Sequence, residues 1–414
     1  MHIKPSDLLT LRALAQQYAE IASLEVNLQR IKRYEATNAL EIVRPVVLID
    51  EVPWGEIKDE VLVNVCAPEL SWLETELRRT LYQWHHFQAD RVVSPVFRVR
   101  KRIRREGGIG LQVQDQQIRS ESGTYAASHA YFDQLQTDDD LAKLHPDIIV
   151  YDRENSEIAL AVATSVFKGL MEVDLIGQDY LGANIWDDIA RFRGVENLLL
   201  DLALRPEFMH RTAARFTEIY QSRFQQTEAQ GLLDARIVTL HCTVGSAREL
   251  PAPDFDDVVR PKDLWGRCAA QIFGSVSPEM HDEFDLAYSQ QLFSNCGLLY
   301  YGCCEPMDRK IDILKKRFAN LRKVSITPWA DPHRAAEAMG HDIVMAAKPN
   351  PAFVATSSFN PAPVESEIAA YCEACLRYGT PLEFVLKDIS TINNQPEILT
   401  QWAATVNDVI DRYF

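Results

Sequence analysis

Short apolar runs recur through the second half of the chain, and most are separated by stretches with helical spacing. The runs occupy residues 147–152, 158–164, 235–241, 269–273, 297–301, 323–327, 342–346 and 382–386. Helical stretches fall at 206–229, 278–295, 307–319 and 364–377. Strand, helix, strand in succession requires parallel strands joined by right-handed crossovers. With about eight such strands the expected fold class is α/β, closed as a (β/α)8 TIM barrel; an open doubly wound sheet is the alternative. No glycine-rich loop of the dinucleotide or P-loop kind opens any helix, which argues against a nucleotide fold.

Ahead of the repeating part, residues 6–36 carry apolar positions at helical spacing, including Leu8, Leu11, Leu14, Tyr18 and Ile21. They predict an N-terminal helical extension over residues 1–40, with the barrel spanning 41–414. Residues 44–51 form a first apolar run with acidic Asp50 and Glu51 at its exit, and 68–86 predict a helix. Residues 97–105 alternate apolar and basic, then Gly107 and Gly108 intervene, then 109–114 alternate again. That pattern predicts an inserted β-hairpin around 95–125 whose arginines guard an edge. Binding of a carboxylated substrate is the sharper alternative for those arginines.

A formal charge of -16 opposes binding to nucleic acid or to anionic lipid. No apolar stretch is long enough to span a bilayer and the N-terminus has no hydrophobic signal core, so a cytoplasmic protein is expected. The long N-terminal helical segment makes a homodimer a natural expectation. Eight cysteines in 414 residues do not form a disulfide framework. Cys372 and Cys375 read as the inner face of an amphipathic helix closed by Gly379.

Barrel sites are built at the C-terminal ends of strands. Those ends carry Glu51, followed by Trp54; Thr164; His241, Cys242 and Thr243; Cys303, Cys304 and Glu305; Asp331; Lys348; and Lys387 with Asp388. Two chemistries suit this set. A soft metal such as zinc takes thiolate and imidazole ligands, for which His241, Cys303 and Cys304 are the candidates, with Glu305 or Asp388 in support. Alternatively the acids and bases act without metal on a carboxylated small molecule. The cysteines as small apolar fillers and His241 as a structural residue stand beside both readings.

The stretch from about Pro261 to Trp402 resembles the uroporphyrinogen decarboxylase and cobalamin-independent methionine synthase superfamily, closest to its corrinoid-linked methyltransferase branch. The resemblance rests on residues 270–284, which look like that family's strand and following Ser-Pro-Glu helix. It continues through 298–303, where the methyltransferases carry His-x-Cys, and through Lys348-Pro-Asn-Pro351, similar to a Gly-Asn-x-x-Pro loop. Residues 182–188 and Arg44-Pro45 fit more loosely. Tyr301 stands where the first zinc-binding His would be, Cys303 matches, and the distant second Cys falls near Lys387 and Asp388. The decarboxylase branch's arginine-rich substrate motif is hinted at only by Arg44-Pro45.

The resemblance implies a methyltransferase that moves a methyl group from a small methylated substrate to a corrinoid protein or other acceptor, metal-assisted. Cys303, Glu305, Lys387 and Asp388 are the expected catalytic residues. Glu51, Trp54, Trp186, Asp187 and Lys348 are expected to line the substrate pocket. The implied cofactors are zinc and a corrinoid on a partner protein. The alternative is a metal-independent decarboxylase or lyase.

Overall fold

The computed structural model describes residues 3–119 and 127–414; of residues 117–119 and 127–129 only the backbone is described. Its centre is a seven-stranded, all-parallel sheet. We number these strands β1 (Val46–Ile49), β2 (Tyr180–Ala183), β3 (Trp265–Cys268), β4 (Leu298–Tyr301), β5 (Leu321–Ile326), β6 (Val344–Ala347) and β7 (Leu382–Leu386). They lie in the order β1-β7-β6-β5-β4-β3-β2. The expected parallel architecture is therefore present. No pairing among the described residues joins β1 to β2, so barrel closure is not seen. The free side of β1 is instead occupied by Asp90, whose N–H donates to Val47 O and whose carboxylate accepts Val47 N–H.

Every interior position of β1, β3, β4, β6 and β7 is buried, as expected for parallel strands covered on both faces. One face presents Val47, Ile49, Leu299, Tyr301, Val324, Met345 and Phe384 to helices including Pro206–Ala229, Pro361–Tyr378 and Glu397–Ile410. The other face is more polar. Trp265, Arg267, Tyr300, Lys323, Ser325, Lys348, Glu383 and Lys387 alternate with the helix-facing set. Buried charge here is paired: Lys323 Nζ donates to Glu383 Oε2 at 2.8 Å and to Thr243 Oγ1 at 2.9 Å, and Thr243 donates in turn to Glu383.

A small antiparallel ribbon, Thr239–Leu240 with Thr243–Val244, is laid on this polar face. Trp265 Nε1 donates to Gly245 O, and Lys323 Nζ donates to Val244 O. The ribbon turns at His241 and Cys242 and so delivers both to the C-terminal ends of the strands.

Several expectations are corrected. Residues 158–164 lie in the helix Arg153–Phe167, so Thr164 ends no strand. That helix buries Ala159, Val162, Ala163 and Val166, which is helical spacing, and alanine favours helix. The run at 147–152 is a strand, Ile148–Asp152, but it pairs antiparallel with Arg102–Glu106 outside the main sheet. The expected glycine-turn hairpin does not form: Val96–Arg100 pairs in parallel with Glu172–Ile176, and 109–114 is not strand. An antiparallel pair joins Asp115–Arg119 to Ala127–Tyr131; the part of the expected insertion at 120–125 lies outside the described residues. Strand β3 ends at Cys268, just before the run predicted at 269–273, and β2 carried no sequence signal.

The N-terminal helices are Pro5–Ala22 and Glu25–Asn38. The first packs with Ser71–His86, Arg153–Phe167 and the Val96–Arg100 strand into a second core, in which Tyr18, Phe97 and Phe167 meet ring to ring. Among the described residues no helix is long and apolar enough to cross a membrane.

Candidate functional site

The C-terminal ends of β1, β4 and β7 bring together a vicinal thiol pair, a lysine and two carboxylates. After β4, Gly302 adopts φ 95°, which only glycine takes freely, and its missing Cβ would lie 3.3 Å from Ser325 Cβ. The chain then turns Cys303 and Cys304 toward the mouth. Glu305 fastens this turn: it is buried, and its carboxylate accepts N–H from Cys303 at 2.9 Å and from Ala270 at 3.2 Å. Glu305 thus holds the Cys303 turn in place from a buried position. Burial pushes its carboxyl up from the ordinary value.

Lys387, at the end of β7, donates to Cys303 Sγ at 3.2 Å and to Cys304 Sγ at 3.0 Å. Asp388 Oδ2 lies 2.7 Å from the same ammonium and 3.2 Å from Cys304 Sγ. The two sulfurs are 3.6 Å apart. The Cys304 thiol donating to Cys303, together with His241, Lys387 and Arg267, holds Cys303 well below the ordinary thiol range. The same shared hydrogen bond, with burial, pushes Cys304 up. The pair therefore carries one thiolate, centred on Cys303. Burial works against the Lys387 charge, but the Cys303 thiolate and Asp388 outweigh it and raise the ammonium's pKa.

Glu51 closes the other side. Its carboxylate accepts Asp388 N–H at 2.9 Å and lies 3.9 Å from His241 Nε2. His241 Nε2 is in turn 3.4 Å from Cys242 Sγ. Glu51, Cys242 and Asp388 all have left-handed backbone, with φ of 52°, 57° and 54°. Such conformations cost about 1–3 kcal/mol each and persist where surrounding contacts over-determine them, often at functional sites.

Lys348, at the end of β6, is buried, and its Nζ donates to Cys242 O at 2.6 Å. Burial lowers its pKa. Asp187 accepts N–H from Gln271 and Ile272 and lines a cleft of about 510 Å3 together with Arg267, Tyr180 and Asn184. Burial, then the charge of Glu305, pushes Asp187 up to about 7. A larger cleft of about 750 Å3 opens between the edge strands β1 and β2 and reaches Asp50 and His241.

Two expected pocket residues sit elsewhere. Trp186 is 0% exposed, donates from Nε1 to Phe284 O and packs on Phe273, so it offers no face to a ligand. Trp54 lies edge-on to Tyr82 beneath the Arg79 guanidinium. Trp54 followed the predicted strand at 44–51 and Trp186 lies in the loosely matching stretch 182–188; packing used both. Sequence reasoning missed Arg267, inside the β3 run, and took Cys242 only as a neighbour of His241. A charge embedded in a four-residue buried strand was the signal for Arg267.

His241, Cys303 and Cys304 do not form a group within mutual ligand range. Among the described residues the group whose donor atoms all lie within 4.8 Å of one another is Asp50, His241 and Cys242. Carboxylate, imidazole and thiolate are donors that zinc accepts. Burial pushes the Cys242 thiol up, so a bound cation would have to displace its proton.

No family model and no curated protein matches the sequence. The structure of a methyltransferase from Methanosarcina mazei matches 93% of this chain and 98% of that one, at 10% sequence identity and a TM-score of 0.50. At that identity the likeness speaks for architecture: this chain has an α/β fold like that of the Methanosarcina mazei methyltransferase.

Proposed function

We propose that the protein is a methyltransferase whose reacting atom is the Cys303 sulfur. The observation that carries this is the Lys387 ammonium placed 3.2 Å from Cys303 Sγ and 3.0 Å from Cys304 Sγ at the strand ends. A thiolate is the nucleophilic form of cysteine, and a nearby cation keeps it ionised at neutral pH. In the first half of the reaction Cys303 attacks the methyl carbon of a small O- or N-methyl compound. A sulfur–carbon bond forms, the carbon–heteroatom bond breaks, and its electron pair leaves with the heteroatom. His241, beside Cys303, supplies the proton that the departing heteroatom takes. The methyl thioether then passes its methyl group to a second nucleophile and returns to the thiolate. A corrinoid carried by a separate protein is the acceptor that the sequence resemblance favours.

A zinc ion at Asp50, His241 and Cys242 would supply Lewis acidity to the leaving heteroatom. With His241 so engaged, the proton for the departing heteroatom would come from the Lys387 ammonium, which Asp388 holds at 2.7 Å.

The test runs the transfer backwards. The protein is incubated with methylcobalamin, cobalamin absorbance is followed, and the Cys303 peptide is analysed by mass spectrometry. One added methyl on Cys303, absent in Cys303→Ser, is expected. Unchanged methylcobalamin together with an unmethylated Cys303 peptide would sink the proposal.

A second reading, a metal-independent decarboxylase or lyase, is favoured by one observation. Asp187, pushed up to about 7, is a carboxyl able to donate a proton at neutral pH into a cleft that Arg267 also lines. That chemistry predicts that Cys303→Ser retains turnover of a carboxylated substrate while Lys387→Ala loses it.

A further inference from the structure

The proposed transfer needs one thiol, yet the turn after β4 presents two. Successive side chains on a strand point to opposite faces, but Cys303 and Cys304 follow the strand, and the turn sets their sulfurs 3.6 Å apart. Buried side chains pin that turn through the Cys303 backbone. Glu305 accepts its N–H at 2.9 Å, and Ser325 Oγ donates to its carbonyl at 2.9 Å. Lys387 Nζ reaches both sulfurs, at 3.2 and 3.0 Å. Cys303 is buried and Cys304 half-buried, so a small solute meets the pair from the Cys304 side. Cys372 and Cys375, also near each other in sequence, are both 0% exposed, and Cys375 Sγ faces Met345 Sδ at 3.6 Å.

We infer that Cys303 and Cys304 are an oxidation site, which a peroxide closes into a disulfide between adjacent residues. The Cys303 sulfur, kept as thiolate by the Lys387 ammonium, attacks one peroxide oxygen. A sulfur–oxygen bond forms and the oxygen–oxygen bond breaks; sulfur is oxidised to sulfenic acid, and the hydroxide released takes a proton to become water. The Cys304 sulfur then attacks the Cys303 sulfur. A sulfur–sulfur bond forms, the sulfur–oxygen bond breaks, and the departing hydroxide leaves as water with the Cys304 proton. The net change is one peroxide and two thiols to one disulfide and two waters.

Adjacent Cα atoms lie about 3.8 Å apart, short of the separation of about 4.4–6.8 Å usual for disulfides. Such a bridge is strained, and strained bridges are readily reduced, so a dithiol restores the pair. Oxidation removes the reacting sulfur and reduction returns it. Only that consequence for methyl transfer rests on the proposed function; the disulfide itself does not.

The test treats the full-length protein with hydrogen peroxide, alkylates the remaining thiols with iodoacetamide, and maps the peptides by mass spectrometry without reduction. The peptide carrying both residues should lose two hydrogens and take no alkyl group, and dithiothreitol should restore two alkylatable thiols. Closure should be about tenfold or more faster than in the urea-unfolded chain, where no ammonium keeps the thiol ionised. Cys304→Ser should stop at a sulfenic acid on Cys303 that dimedone traps. Two free thiols after peroxide has fully oxidised added glutathione would overturn the inference. So would sulfinic acid on Cys303 beside a free Cys304, or closure no faster than in urea. These readings come from wild type and stand even if the variant fails to fold. No methyl donor is present, so failure here leaves methyl transfer standing, and reduced protein that takes no methyl group from methylcobalamin leaves the disulfide standing.

Discussion

Replacing Lys387 by methionine removes the cation that stands 3.2 Å from Cys303 Sγ and 3.0 Å from Cys304 Sγ while keeping most of the side-chain volume. Two unit charges at the longer separation, in surroundings of effective dielectric about 20, attract by about 5 kcal/mol. Desolvation consumes part of that, and a charged hydrogen bond retains about 1.5–3 kcal/mol net. At about 1.4 kcal/mol per pH unit, the midpoint of Cys303 ionisation should rise by about one to two pH units. The sign follows from the thiolate being the form that Lys387 favours. Removing a cation makes the proton harder to lose. The assay is the rate of Cys303 alkylation by iodoacetamide as a function of pH, with peptide mass spectrometry separating Cys303 from the other cysteines. Asp388→Asn is the opposing control, because losing a nearby negative charge should not raise the midpoint. Superimposable pH profiles for wild type and a normally folded Lys387→Met would refute the reasoning and leave the thiol pair as packing.

The buried Lys323–Glu383 pair gives a stability prediction. Removing either partner alone, as Glu383→Leu or Lys323→Met, strands a charge with 0% exposure and should cost about 3–5 kcal/mol in urea unfolding, with the double variant recovering much of the loss; additive losses would count against it. Asp187 gives a pH prediction. Its folded pKa of about 7 lies above the ordinary 3.8, so the folded state holds a proton that the unfolded chain releases. Its contribution is therefore full below the ordinary value and is lost as pH rises through about 7. Asp187→Asn should flatten the fall in melting temperature over that range, and an unchanged slope would remove Asp187 from consideration as a proton donor.

Much of the architecture was legible in the chain because it rests on local pattern. Five of the seven sheet strands overlap predicted apolar runs at 44–51, 297–301, 323–327, 342–346 and 382–386, and the helix at 206–229 matches its prediction residue for residue. Buried parallel strands need unbroken apolar runs, and helices need a spaced apolar stripe, so both leave their mark in sequence. Where the two patterns overlap the reading failed. Residues 158–164 are apolar enough for a strand, yet their alanines and the stripe from Ala159 to Val166 fit a helix packed on the first N-terminal helix and Phe97. The strand at 148–152 found an antiparallel partner only because the fold carried Arg102–Glu106 alongside. Pairing between distant segments has no local signature.

The site divides the same way. Strand ends marked Glu51, Cys303, Lys348, Lys387 and Asp388 as candidates, because the polar groups that follow a buried strand emerge at one rim. Which of them touch was decided by tertiary structure. Sheet order places β7 next to β1, which sets Asp388 N–H against Glu51, while the short ribbon carries His241 and Cys242 to the rim. Orientation was likewise hidden. The two-residue alternation of a strand puts Arg267 on the polar face and Cys268 on the helix face, and nothing in the run from 265 to 268 says which face is which. Composition and periodicity therefore determined that this chain builds a parallel sheet with a reactive rim. Only the packed structure decided which charges meet there, because burial and pairing are set by neighbours remote in sequence.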